Sequence, residues 1–212
     1  MRPLLALAAL AAAAPLASAQ LPVSITGRVE AVPVPPACAP VATHRIADAD
    51  VFLISDVVDL DALLFFNQRL EGLDLGAACP LIDVTSAQPS SYTLGVCNNS
   101  AVGCTVTLDQ CPSPASGAFV IAASPQTGYL PISVPVGTLL LDFANLVTIA
   151  TGAQTAVCQS TPLTLAAPFS AIGLQVFFQA VTVPPAGDPL LSNLHALTLL
   201  SPVVPCTNFA CY

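Results

Sequence analysis

Lysine is absent from this 212-residue chain. That absence removes Schiff-base chemistry and the phosphate-binding lysine of a P-loop. Tryptophan is absent too, so the largest aromatic surface for stacking a sugar is missing. Charged residues are 8% of the chain, against about 25% in an ordinary soluble domain. Only Arg2, Arg28, Arg45 and Arg69 are basic, and twelve acids bring the net charge to −8. Nucleic acid is held by Lys and Arg that neutralise phosphates, so it is not an expected partner. The sequence has no C-x-x-C pair, no G-x-S-x-G elbow and no H-E-x-x-H helix. These gaps weigh against a structural zinc site, a thioredoxin-like pair, an α/β-hydrolase and a zinc protease. A Ser-His-Asp arrangement would have to use one of only two histidines, His44 or His195. No catalytic residue is assigned, no cofactor is implied, and the chain is read as a non-enzyme.

What is present begins with a targeting segment. Arg2 precedes a Leu/Ala run over 4–16, and Ala17-Ser18-Ala19 fits the small-x-small cleavage rule. Residues 1–19 are therefore expected to be a signal peptide, with the mature chain starting at Gln20. Beyond it, the most apolar stretch, 138–149, is interrupted by Asp142 and Asn145. It falls short of the about 20 residues that a membrane-spanning helix needs. The expected location is outside the cell or on the exterior of its envelope.

Eight cysteines agree with an oxidising compartment: Cys38, Cys79, Cys97, Cys104, Cys111, Cys158, Cys206 and Cys211. An even count in an exported chain reads as a disulfide framework whose pairing the sequence leaves open. Strand signals dominate. Val23, Ile25, Gly27 and Val29 alternate with polar neighbours, the pattern of a half-buried strand. Apolar runs predict further strands over 51–54, 64–75 and 81–85, with a bulge at Gly72 and one helical turn near 56–63 capped by Asp59. After a loop at Gln88-Pro89-Ser90-Ser91, strands are expected over 91–96, 104–108, 117–122, 130–134, 138–143, 147–151, 163–165, 174–183 and 194–199. In 174–180 the glutamines fall on one face and Leu174, Val176 and Phe178 on the other.

Charge divides the chain unevenly. Nine acids lie in 20–83, whereas 111–212 holds only Asp142 and Asp188. The predicted architecture is all-β and disulfide-stapled: a small barrel over 20–90 and a β-sandwich over 91–212. The second module, almost without charge, is expected to pack against something: the first module, another copy, or a cell-envelope component.

Two resemblances can be placed on residues. Ile25-Thr26-Gly27-Arg28-Val29, Val51-Phe52-Leu53-Ile54-Ser55 and Asp59-Leu60-Asp61-Ala62-Leu63, leading to Arg69-Leu70-Glu71-Gly72, resemble the pattern of small secreted OB-fold barrels. That resemblance implies a face that takes oligonucleotides or oligosaccharides. Thr138-Leu139-Leu140-Leu141-Asp142, the stretch 168–180 and Pro189-Leu190-Leu191-Ser192-Asn193-Leu194 resemble a C-terminal β-module of exported proteins in planctomycete-type bacteria. It implies a secreted, non-catalytic β-sandwich.

Two features remain as candidate sites. Asp48, Asp50, Asp59 and Asp61 form two D-x-D pairs, the oxygen-rich composition that calcium takes. Asn98-Asn99-Ser100 satisfies the N-glycosylation sequon. The sequence thus predicts a non-catalytic exported structural or adhesion protein, the competing reading being an extracellular glycan- or calcium-binding module.

Overall fold

A computed structural model describes residues 20–76, 78–97, 101–111, 117–165 and 169–202. The expected signal peptide, the sequon, Cys206, Cys211 and the side chain of Cys97 lie outside the described residues. Within them the alternating segment becomes β1 (Leu21–Ala31), followed by β2 (His44–Ile46), β3 (Phe52–Ile54), β4 (Asn67–Asp74) and β5 (Leu81–Pro89). These close a barrel in the order β1-β2-β3-β5-β4. All pairs are antiparallel except β3 with β5, where Leu53 lies opposite Ile82. Inward-facing Val23, Ile25, Val29, Ile46, Leu53, Leu70, Ile82 and Val84 fill the interior, each 2% exposed or less. Side chains of this size buried to that degree contribute roughly 1.5–3 kcal/mol each.

Several local expectations shift for identifiable reasons. Ser24 and Thr26 are as buried as their apolar neighbours, so β1 is covered on both faces here and not half-buried. Its outer face meets the hairpin of β9 (Thr127–Ser133) and β10 (Gly137–Leu141), and Thr138 donates its hydroxyl to the Ser24 carbonyl at 2.7 Å. The bulge expected at Gly72 is present. The β4–β5 register shifts between Glu71 and Gly72, and the extra residue, Thr85, is carried by β5. Residues 64–66 form a bend, not the start of a strand, because the Phe65 amide turns back to the Val29 carbonyl at 3.0 Å. The helical turn is a single 3-10 turn, Asp61–Leu63. Leu60 occupies its cap position, while Asp59 Oδ1 accepts the Ala62 amide at 3.3 Å.

The second half builds two facing sheets. β6 (Thr93–Cys97), β7 (Thr105–Cys111) and β12 (Gln159–Thr164) form a three-stranded sheet in the order β12-β7-β6. β8 (Ala118–Ser124), β11 (Val147–Ala153) and β13 (Gln175–Val183) lie in the order β11-β8-β13. The short β14 (Leu190–Leu191) and β15 (His195–Thr198) both pair with β13. Tyr92, Leu94, Val106 and Leu108 from one side meet Phe119, Ile121, Phe178 and Leu197 from the other, a sandwich core. The opposite face of the larger sheet turns to the barrel: Ala122 and Leu194 belong to the barrel-side core, with Phe177 packed against it. β13 is therefore covered on both faces, Phe177 on one side and Phe178 on the other.

Two bridges staple the ends. Cys38–Cys79 joins the β1–β2 loop to the β4–β5 loop over a small cluster of Ala39, Ala42 and Leu81. Cys111–Cys158 joins the end of β7 to the approach of β12. Cys104 is disulfide-bonded as well. Among the described residues, no helix is long and apolar enough to cross a membrane.

Candidate functional site

A cleft of about 450 Å³ opens at the barrel rim, where the sandwich leans against it. Its walls are Arg28 on β1, Ala47 and Asp48 in the β2–β3 turn, Phe65 and Asn67 at the entry to β4, and Asn193, Leu194, His195 and Ala196 leading into β15. Both modules therefore contribute to it.

β1 organises the two turns that form the rim. The Ala47 amide donates to the Arg28 carbonyl at 2.8 Å, and the Phe65 amide donates to the Val29 carbonyl next to it. Two consecutive residues of one strand thus anchor both segments. Each segment turns through the left-handed region: Asp48 has φ 62° and Phe65 φ 69°. Among the described residues these are the only non-glycine positions with positive φ, and both line this cleft. Aspartate tolerates that conformation through its short polar side chain, whereas a bulky aromatic is strained there. The Phe65 ring is held out into water, 75% exposed.

The polar side chains divide into committed and open groups. Asn193 is committed: its Oδ1 accepts the Leu94 amide at 2.8 Å, and its Nδ2 donates to the Leu94 and Leu194 carbonyls. It holds the wall and offers nothing to a ligand. Arg28 spends one nitrogen on Glu30 at 2.9 Å and keeps its other N–H groups open. Among the described residues, the side chains of Asp48, Asn67 and His195 have no hydrogen-bond partner. Burial pushes the His195 imidazole below its ordinary pKa; the Asp48 charge opposes that shift and Arg28 reinforces it.

Elsewhere, the expected residues are dispersed. His44 is buried, with Nδ1 2.9 Å from Thr43 Oγ1 and Nε2 3.2 Å from Asp61 Oδ1. Asp61 thus faces a histidine and Asp59 accepts the Ala62 amide, while Asp48 and Asp50 sit in the β2–β3 turn. Among the described residues no group of three or more His, Cys, Asp or Glu side chains stands close enough to hold a metal ion. The cleft residues Arg28, Phe65 and Asn67 carry no motif. The β1–β4 register sets Asn67 opposite Arg28, and the bend at 64–66, whose apolar sequence reads as strand, adds Phe65. No protein-family model matches the chain, and no curated protein matches it in sequence.

Proposed function

We propose that the protein is exported and acts without catalysis, as a structural or adhesion protein of the cell exterior that works through the surfaces of its β-modules. The leader-like composition of 1–19 and the disulfides support an oxidising, extracytoplasmic location. The strand order β1-β2-β3-β5-β4 with its single parallel pair supports reading the barrel as OB-like. In such barrels the loops between the first two and the last two strands flank the binding face. Here Cys38–Cys79 ties those loops to each other, which favours a mechanical role for that end of the barrel.

The observation that carries the reading is the outer edge of β11. This seven-residue strand, Val-Thr-Ile-Ala-Thr-Gly-Ala, pairs with β8 on one side, and no described strand pairs with the other. It contains no charge and no proline, and most of it is exposed. Sheet edges are ordinarily blunted by lysine, proline or brevity. A bulge at Ile149 twists its first half, which leaves 150–153 as a regular open edge. An edge of this kind accepts another strand by main-chain pairing.

The test is fractionation of the source cells, together with sedimentation of the purified exported chain. The wild type is expected in the envelope fraction or as self-associated species, and Thr151→Lys on the open edge is expected to shift it to free monomer. Monomeric wild type found only in the medium would sink the structural reading. Turnover of an ester, glycoside or peptide would sink the non-catalytic one.

A further inference from the structure

We propose that the rim cleft binds an uncharged pyranose saccharide, with the Phe65 ring as its stacking platform and Arg28, Asp48, Asn67 and His195 as its hydroxyl-binding groups. This deepens the adhesive reading and rests on it only in taking the site to be non-catalytic. It does not depend on the β11 edge.

The argument starts from hydrogen-bond accounting. Polar side chains in folded proteins, when withdrawn from water, are generally partnered. Asn67 and His195 are half-buried and Asp48 is exposed, and among the described residues none of the three side chains is hydrogen-bonded to another group, so each is open to a ligand that enters the cleft. Asn67 supplies a donor and an acceptor, neutral imidazole one of each, Asp48 acceptors, and Arg28 its remaining donors. A wall that mixes donors and acceptors at close range matches groups that are themselves both, and hydroxyls are such groups.

Charge narrows the class. Arg28 and Asp48 are the only formal charges on the cleft wall, so they cancel, and Arg28 is also shared with Glu30. Burial holds His195 toward its neutral form. A phosphate, sulfate or uronate would meet no net positive field and would face the Asp48 carboxylate at close quarters. An uncharged ligand meets no such penalty.

Phe65 narrows it further. An aromatic ring presents a negative face, to which the weakly positive C–H face of a pyranose is complementary. A ring held out at 75% exposure by a strained backbone gains nothing from the core it leaves. Strain at a recognition position is a common way of fixing a side chain before its ligand arrives. The volume of about 450 Å³ falls within the range of small-ligand clefts.

The experiment uses the exported, disulfide-intact chain in affinity electrophoresis through gels containing dextran, galactan or hydroxyethylcellulose, with alginate as the anionic comparison. Wild type is expected to be retarded by at least one neutral polymer. Phe65→Gly, which suits the left-handed backbone and removes only the ring, should be retarded about tenfold less, as should Asn67→Ala. Because the chain has only two histidines, proton NMR with an oligosaccharide of the retarding polymer reads the site directly. The His195 ring resonances should move while those of His44 stay in place. No retardation by any neutral polymer, retardation by alginate alone, or equal retardation of Phe65→Gly would each overturn the proposal. Cleavage of a bound polymer would leave the site standing and overturn the non-catalytic reading instead.

Discussion

Gln179 Oε1 accepts the backbone amide of Leu140 at 2.8 Å, at the place where the β9–β10 ladder shifts register. The same side chain donates from Nε2 to the Thr138 carbonyl at 3.1 Å and to the Ser192 carbonyl at 2.9 Å. One buried carboxamide therefore serves β10, β13 and the segment after β14. Since β10 also carries the Thr138 bond to β1, Gln179 is a link in the chain of contacts from sandwich to barrel. Gln179→Met keeps the volume and removes every bond. Leaving buried polar groups unpaired costs about 1–3 kcal/mol each, so a loss of about 3 kcal/mol or more is expected in chemical denaturation. A change under about 0.5 kcal/mol would mean that the hairpin docks by apolar contact alone.

Gly72 has a different kind of constraint. A Cβ there would overlap the Asp83 carbonyl oxygen and crowd Ile82, at the bulge that closes β4 on β5. The obstacle is backbone, which cannot rotate away. Gly72→Ala should cost about 2 kcal/mol or more through overpacking. Gly95→Ala, whose nearest new neighbour is the Asp109 carbonyl oxygen at 4.0 Å, should be neutral or slightly stabilising. Equal melting temperatures for the two variants would show that the bulge relaxes.

These two residues mark what the sequence made legible. Gly72 was recognisable because a glycine inside an apolar run is a local signal. The same local patterning locates the strands apart from the short β2 and β14: it predicts 23–30 where Leu21–Ala31 is observed, and 174–183 where Gln175–Val183 is observed. The apolar pattern marks only three residues of the six-residue β12, because its alternation is of exposed and half-exposed side chains around Pro162. Gln179 could not be read as a buried linker, since its partners on β10 are brought to it only by the fold. The cleft was illegible for the same reason. Phe65 and Phe66 look like core residues in sequence, and their exposure follows from a bend whose hydrogen bonds run to β1.

Two tyrosines bear on alkaline stability. Burial raises the pKa of Tyr92, whose hydroxyl bonds Gln110 Oε1 at 2.6 Å in the sandwich core. Burial also raises that of Tyr129, with the Asp74 charge and its 3.0 Å hydrogen bond adding to the effect. Both values in the folded chain lie above the unfolded value of 10.0. The stability they contribute is therefore complete below pH 10 and is lost as pH rises beyond it, because the unfolded chain ionises first. Phenolate absorbance of these two residues should appear only together with loss of tertiary structure. The chain has three tyrosines, so smooth titration of all three near pH 10 while the chain stays folded would contradict the burial of both.

His195 governs the acid side by the opposite sign. Its folded pKa lies below the ordinary 6.5, chiefly through burial. Above pH 6.5 the ring is neutral in both states, and its full contribution to stability is present. As pH falls below 6.5 the unfolded chain takes up a proton that the folded ring resists, so stability declines until the folded ring titrates too. Thermal melts of the wild type should drop over this window more steeply than those of His195→Gln, before carboxylates begin to titrate near about pH 4. The ring's own NMR midpoint checks the cause. A midpoint at or above 6.5 would mean that the Asp48 charge outweighs burial.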